Sequence, residues 1–237
     1  MRIAVIGDVH GNKYALESVL QDIKTRDVDT LVCMGDLVGY MPFPHEVIEN
    51  IRENHILVIK GNHDERIAGL DRVTDQTFKD VSYEDAQKSA SALYINKLLS
   101  EADVEYLKTL PDQIKLEIGA YKVLFVHGSP NSISEYMYDD VELLNGIGQF
   151  ANANVIVSGH THLPYHTQSE GIHYLNPGSV GKPKHGNSNA MYMLMDVSDN
   201  VSAQFIEVSY DLEKMVEAIY KDPYIADGIA KNLVEGK

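Results

Sequence analysis

The sequence predicts an α/β fold in which a parallel-type sheet carries helices on its faces. Two observations support this: apolar runs of strand length stop at glycines, and between them apolar residues recur at helical spacing. Arg2 to Ile6 is the first run, ending at Gly7, and an uninterrupted apolar strand of this kind is buried on both faces. Leu16, Val19, Leu20 and Ile23 then mark a helix, and Thr30 to Met34 a second strand ending at Gly35. The unit repeats with Val47, Ile48 and Ile51 behind the turn at Pro42 and Pro44, followed by Ile56 to Ile59 up to Gly61. Ligands at such sheets collect just past the C-terminal strand ends.

Residues 66–113 break the rhythm. Glu84 to Leu99 and Ser100 to Leu110 are expected as two helices of an insert, with Ala86, Ala90, Leu93, Leu98 and Leu107 toward the core. Because it follows Asp64 directly, the insert is expected to roof whatever lies at the strand ends. From Lys122 the strand pattern returns, at Val123–Val126, Val155–Val157, Ile172–Leu175, Met191–Met195 and Gln204–Val208, with one helix at about Val141 to Phe150. A last amphipathic helix, Asp211 to Tyr220, carries Leu212, Val216 and Ile219 and opens a helical tail over 211–237, polar beyond Pro223. No repeat or Pro/Gly-rich linker divides the chain, so residues 1–237 read as one domain.

Composition narrows the function. The 35 acidic against 20 basic residues give a formal charge of -15, which repels nucleic acid phosphates and anionic lipid unless a local site reverses the sign. Hydrophobic residues make up 44%, with no biased tract, as in an ordinary globular protein. Cys33 is the only cysteine, which excludes a disulfide framework or thiolate metal cluster and fits a reducing compartment. The N-terminal MRIAVIGDVHG lacks the pattern of a signal peptide, so a cytoplasmic location is expected.

The chemistry lies at the strand ends. The first strand ends in Asp8-Val9-His10, the second in Gly35-Asp36, the third in Gly61-Asn62-His63-Asp64, and later ones in His127-Gly128 and Gly159-His160-Thr161-His162. On an extended segment residues i and i+2 point the same way, so Asp8 with His10, and His160 with His162, are expected to converge on one point beyond the sheet. Gly7, Gly11, Gly35, Gly61, Gly128 and Gly159 permit the close turns this requires. One Asp-x-His alone is a common turn sequence, but five such items in order, each at a strand end, are no accident. His45, His55, His166, His173 and His185 fall outside the set and read as ordinary surface or core residues.

This ordered set resembles that of the calcineurin-like metallophosphoesterases. The resemblance spans Ile3 to about Asp196, and Gly35-Asp36-Leu37-Val38-Gly39-Tyr40 and Asn176-Pro177-Gly178-Ser179-Val180-Gly181 are similar to the small prokaryotic phosphodiesterase and phosphatase branch. It implies a four-layer α-β-β-α sandwich, two sheets flanked by helices, with a dinuclear metal centre at their common edge. Carried over residue by residue, it makes Asp8, His10, Asp36 and His162 ligands of one ion and Asp36, Asn62, His127 and His160 ligands of the other. Asp36 would bridge them. His63 would face the substrate without binding metal, and Asp64 corresponds to the residue that orients it.

The implied function is hydrolysis of small, nucleotide-like phosphate mono- or diesters. Two divalent ions outweigh the charges of Asp8 and Asp36, so the centre attracts a phosphate ester even in an acidic protein. In two-metal chemistry a water with its pKa brought down to about 7 attacks phosphorus in line, and His63 would protonate the leaving oxygen. The mixed imidazole, carboxylate and amide shell suits manganese, iron, zinc, nickel or cobalt rather than magnesium or calcium, and the resemblance favours manganese. Tyr40 and Arg66 are candidate substrate contacts, through stacking and phosphate clamping respectively. Gly178-Ser179-Val180-Gly181-Lys182 lacks the spacing of a phosphate loop. Alternatives are a dinucleoside polyphosphate hydrolase, a protein phosphatase, or a non-catalytic metal-binding scaffold like the family's retromer subunit. That subunit lacks the histidine that this chain has at His63. With no basic stripe, long nucleic acid is not an expected partner, and neither is a membrane.

Overall fold

The apolar runs do form strands, but they are shared between two sheets. The computed structural model describes residues 1–87 and 92–237. In the first sheet the order is β10 (Val201–Val208), β9 (Ala190–Val197), β1 (Arg2–Ile6), β2 (Thr30–Cys33), β3 (Leu57–Val58). There β1, β2 and β3 run parallel, while β9 pairs antiparallel with both β1 and β10. In the second sheet the order is β4 (Gln113–Ile118), β5 (Tyr121–Val126), β6 (Val155–Val157), β8 (Ile172–Asn176), β7 (Tyr165–Ser169), with β5, β6 and β8 parallel and antiparallel strands at both edges.

The period of two along a strand separates the layers. Ile3 and Val5 of β1 join Val123 and Phe125 of β5 in the core between the sheets, while Ala4 and Ile6 face a second core under helices. That second core takes Leu16, Val19 and Leu20 of α1 (Lys13–Lys24) and Val47, Ile48 and Ile51 of α2 (Pro44–Glu53). Leu124 and Val126 of β5 turn the other way, onto Leu144 and Ile147 of α8 (Val141–Gly148). The result is the four-layer sandwich, and each fully buried aliphatic or aromatic side chain in it is worth roughly 1.5–3 kcal/mol. Among the described residues no helix is long and apolar enough to cross a membrane.

Several expectations need correction. The edge strands β4 and β7 were not anticipated: in β4 the alternation of Ile114, Leu116 and Ile118 with Gln113, Lys115 and Glu117 is a clear half-exposed strand signal at the end of a stretch read as helical, and β7 is almost wholly polar. A helix also begins earlier than expected, at Asn62 (α3, Asn62–Ala68). Beyond it lie α4 (Asp75–Phe78), α5 (Tyr83–Gln87), α6 (Ala92–Leu98) and α7 (Glu101–Thr109); α5 and α6 fall on the expected helix over Glu84 to Leu99, of which residues 88–91 lie outside the described residues. Ala90 and the side chain of Ala86 lie outside the described residues. On α6 the buried face is Ala92, Ile95 and Asn96, with Leu93 and Leu98 only half buried; Leu107 is fully buried as expected.

Among the described residues the insert packs in the helical layer rather than as a separate roof. Ile67, Ile95, Leu99, Val104 and Leu107 enter the same core as α1 and α2, so these helices belong to the outer layer over the first sheet. At the C-terminus, α9 (Leu212–Lys221) is followed by a second helix rather than a polar tail, α10 (Asp227–Glu235). Met215, Ile219, Ile225, Ala230 and Leu233 from this region pack on Met41, in the loop after β2.

Asn12 joins the first helix to a distant loop. Its Oδ1 accepts from the Ala15 amide at 3.1 Å as the N-cap of α1, and its Nδ2 donates to Gly181 O at 3.0 Å, all fully buried. Asn12→Ala removes the cap and leaves a buried carbonyl without its donor, so unfolding in denaturant should come about 1–3 kcal/mol sooner. A midpoint equal to that of the parent would show that the link contributes nothing.

Candidate metal centre

The strands stop short of the chemistry. β1 ends at Ile6 and β2 at Cys33, and the residues beyond them leave extended geometry altogether. Asp8, His10 and Asp36 have φ of 51°, and Tyr40, His160 and His162 have φ of 62°, 64° and 62°. Convergence therefore comes from left-handed turns, not from i and i+2 on a strand. Such turns cost non-glycine residues roughly 1–2 kcal/mol each, and the loops hold one another in them: Asp8 N–H donates to Gly35 O at 3.0 Å, His10 N–H to Asp36 O at 2.8 Å, and Gly159 N–H to His127 O at 2.8 Å. Gly61 is required by close approach, because a Cβ there would lie 2.2 Å from the Asp36 amide nitrogen and from Asp36 Oδ1.

All seven sequence-predicted ligands are brought together. Asp8, His10 and His162 form one group, Asp36, His127 and His160 another, with ligand atoms within 4.8 Å of one another in each. Asn62 Oδ1 meets His127 Nε2 at 3.0 Å. Asp36 stands between the groups, its Oδ2 at 3.6 Å from His10 Nε2 and 3.5 Å from His127 Nε2.

Backbone carbonyls decide which ring nitrogens are free. A carbonyl can only accept, so His10 Nδ1–H donates to Val38 O (3.3 Å), His162 Nδ1–H to Lys182 O (2.6 Å) and His127 Nδ1–H to Met34 O (2.7 Å). In the neutral rings Nε2 is then left with a lone pair. Burial drives His10 and His162 well below the usual histidine range, so both are neutral, and their Nε2 atoms face each other at 3.2 Å. Two lone pairs at that distance repel unless a cation lies within reach of both. His160 Nε2 is likewise buried without a hydrogen-bond partner. These donors fit a metal.

The charges agree. Burial raises Asp8 to about 7, with Asp36 adding to the shift. Burial also opposes charge on Asp36, but the facing His127, His10 and His63 outweigh it and hold it well below the carboxylate range. On His127 burial acts downward and is overcome by Asp36 and then Asp8, which raise it to about 10. The two carboxylates demand a positive charge among them.

The remaining candidates are placed as follows. His63 donates its backbone N–H to Asp36 Oδ1 at 2.8 Å, and its ring falls within ligand distance of His10 and Asp36, with Nδ1 buried and unpartnered. Burial lowers its pKa, His127, Arg66 and Lys182 lower it further, and Asp36 opposes them. Asp64 does not orient the ring by a direct bond: its oxygens accept from the Val38 amide at 3.2 Å and the Gly61 amide at 3.0 Å, so it acts through the backbone. Tyr40 packs 4.8 Å from the His10 ring and 4.9 Å from the His63 ring. Arg66 is exposed, close enough for its charge to bear on Tyr40 and His63. His45 and His166, set aside from the sequence, bond instead to Asp103 (2.8 Å) and His173 (3.0 Å).

Sequence reasoning missed other parts of the site. The Tyr136 ring stacks on His160, 4.1 Å between centroids and 19° between planes, and no periodicity marks it. Asn176 donates to Gly159 O at 2.7 Å and Ser179 donates to Asp8 O at 2.8 Å, a role for the Asn-Pro-Gly-Ser run that its sequence does not reveal. Beside His127 opens a cleft of about 310 Å³ lined by Glu65, Gln113, Ser129 and Asn131.

Comparison with known proteins adds the family. Residues 1–200 match the calcineurin-like phosphoesterase superfamily domain. The chain is 32% identical to the uncharacterized protein MJ0912 of Methanocaldococcus jannaschii, over 93% of this chain and 92% of that one. It is 25% identical to phosphodiesterase YfcE of Escherichia coli, over 83% and 88%. The crystal structure of a metallophosphoesterase from Sphaerobacter thermophilus superposes with a TM-score of 0.82 at 27% identity, covering 100% of this chain and 99% of that one. A match of this extent shows that the chain belongs to the calcineurin-like phosphoesterase superfamily and is a hydrolase of the metallophosphoesterase type.

Proposed function

We propose that the protein hydrolyses small, nucleotide-like phosphate mono- or diesters at a dinuclear centre, with His63 as general acid. The observation that carries this reading is the pair of facing Nε2 atoms of His10 and His162 at 3.2 Å, buried beside Asp8 and Asp36, an arrangement that suits a shared cation. Asp8, His10, Asp36 and His162 would hold one ion and Asp36, Asn62, His127 and His160 the other. Manganese is the favoured metal, given this mixed nitrogen and oxygen set. When bound, the ions supply Lewis acidity and an activated water.

The chain's own residues do the rest. Val38 and Lys182 carbonyls keep His10 and His162 in the tautomer that points a lone pair inward, and the Met34 carbonyl takes the Nδ1–H of His127 so that its Nε2 faces Asp36. His63 is tied through its backbone to the Asp36 carboxylate, and Asp64 fixes the helix start on which it stands, so its ring is held at the edge of the centre. Its lowered pKa keeps the free ring neutral; an anionic ester beside it favours the protonated form, which then gives its proton to the departing oxygen. Gly39 leaves room for this ring, since a Cβ there would sit 2.7 Å from His63 Nδ1. The acidic surface, at -15, favours small esters over polymeric nucleic acid.

Elemental analysis after manganese supplementation should approach two ions per chain, and Asp36→Asn should weaken both sites because the carboxylate is shared. Metal at about a hundredfold over its dissociation constant should also stabilise the fold by about 2.7 kcal/mol. A single ion at saturation would sink the dinuclear reading. For His63→Ala, metal content should hold while turnover falls roughly 10²- to 10⁴-fold. The loss should be larger for an alkyl or ribose leaving group than for an acidic phenol, which departs without a proton. Metal lost in step with activity would instead make His63 a ligand, as its distance to His10 and Asp36 allows.

A further inference from the structure

The Gly181-Lys182-Pro183-Lys184 segment carries two lysines, of which Lys184 feels the charge of Asp8 from beyond ion-pair distance. Lys182 is only 9% exposed, and Lys184 is partly buried. In a chain with 35 acidic residues, Lys13, Lys60, Lys97 and Lys108 all find a carboxylate, yet among the described residues neither Lys182 nor Lys184 is in an ion pair. Buried charges are ordinarily paired, because desolvation is otherwise uncompensated. The Lys182 backbone is pinned, its amide donating to Ser179 Oγ at 2.8 Å and its carbonyl accepting from His162 Nδ1 at 2.6 Å. Its Nζ lies 5.2 Å from the centroid of the Tyr40 ring, which packs on both His10 and His63. The ammonium is thus held on the His10 and His162 side of the metal centre, beside His63.

Resting on the phosphoesterase reading, we propose that Lys182 binds a non-bridging oxygen of the substrate phosphoryl group, with Lys184 adding positive potential behind it, and that this makes phosphomonoesters the favoured substrate class. The chemistry distinguishes the classes. A monoester has three non-bridging oxygens and two negative charges near neutral pH, while a diester has two such oxygens and one charge. If each of two ions takes one oxygen, only a monoester has a third left for the lysine. Inorganic phosphate presents the same group and serves as the probe.

The test compares the manganese-loaded parent with Lys182→Met, Lys182→Gln and Lys182→Arg. Calorimetry with inorganic phosphate should show affinity falling at least about tenfold in Met and Gln and partly restored in Arg, the effect of losing one charge-assisted hydrogen bond. Metal content should be unchanged, because the His162 contact is made by the backbone. The KM for p-nitrophenyl phosphate should rise in parallel, and that for bis-p-nitrophenyl phosphate by less than about threefold, as for a weakly engaged surface charge. Unchanged phosphate affinity in folded, metal-replete Lys182→Met or Lys182→Gln would overturn the binding role, and equal losses on the two esters would overturn the monoester preference. Should the parent hydrolyse neither ester while phosphate affinity still falls in the variants, the anion site stands and the hydrolytic reading falls.

Discussion

The structure turns on a single electrostatic demand: two buried carboxylates and the lone pairs of several neutral imidazoles converge where water cannot reach them. In a folded protein such a set is tolerable only if cations sit among it, since each unpaired polar atom otherwise carries its full desolvation cost. The backbone enforces the demand, because the carbonyls of Val38 and Lys182 take the Nδ1 protons of His10 and His162, which are neutral and so turn only a lone pair inward. The same geometry then selects the chemistry. Divalent ions held there would outweigh the two carboxylates, and such a centre would attract phosphate even though the surface around it is strongly acidic.

Holding that set together requires local strain. Six residues of the site adopt left-handed backbone angles that their side chains disfavour, and none of the loops would keep this form alone. They are zipped strand end to strand end, Asp8 to Gly35, His10 to Asp36 and Gly181 to Asp8, and the strands behind them are locked by two dry cores, one between the sheets and one beneath the helices. The four-layer sandwich is therefore more than a support. Its rigidity offsets the strain, so the ligands are preorganised before any ion or substrate arrives.

The surroundings divide the labour around the centre. Tyr136 stacks flat on His160 and restricts its ring, Asn176 and Ser179 clamp the turns that carry Asp8 and His160, and Asp64 caps the helix that carries Asn62 and His63. On the His10 side stand Tyr40 and the uncompensated ammonium of Lys182, and beside His127 lies the open cleft.

The sequence by itself determined the α/β class, the two-faced burial of β1 and which acidic and imidazole side chains gather at the strand ends, because apolar period and residue type are local properties that survive without a fold. The run from Asp8 to His162 was legible as a site since its members stand at successive strand ends, and its resemblance to a family assigned them. What only the tertiary structure decided is how those residues meet: as left-handed turns rather than extended strands, with tautomers set by carbonyls from other loops. It also decided that Asp64 grips backbone instead of His63, that the described helices of the stretch over 66–113 pack as a core layer, and that Ala230 and Leu233 anchor a second helix beyond Pro223. Lys182 shows the reason most plainly: in the sequence it is one lysine after a glycine, and only long-range packing brings it beside Tyr40, some 140 residues away, with no carboxylate in ion-pair contact among the described residues.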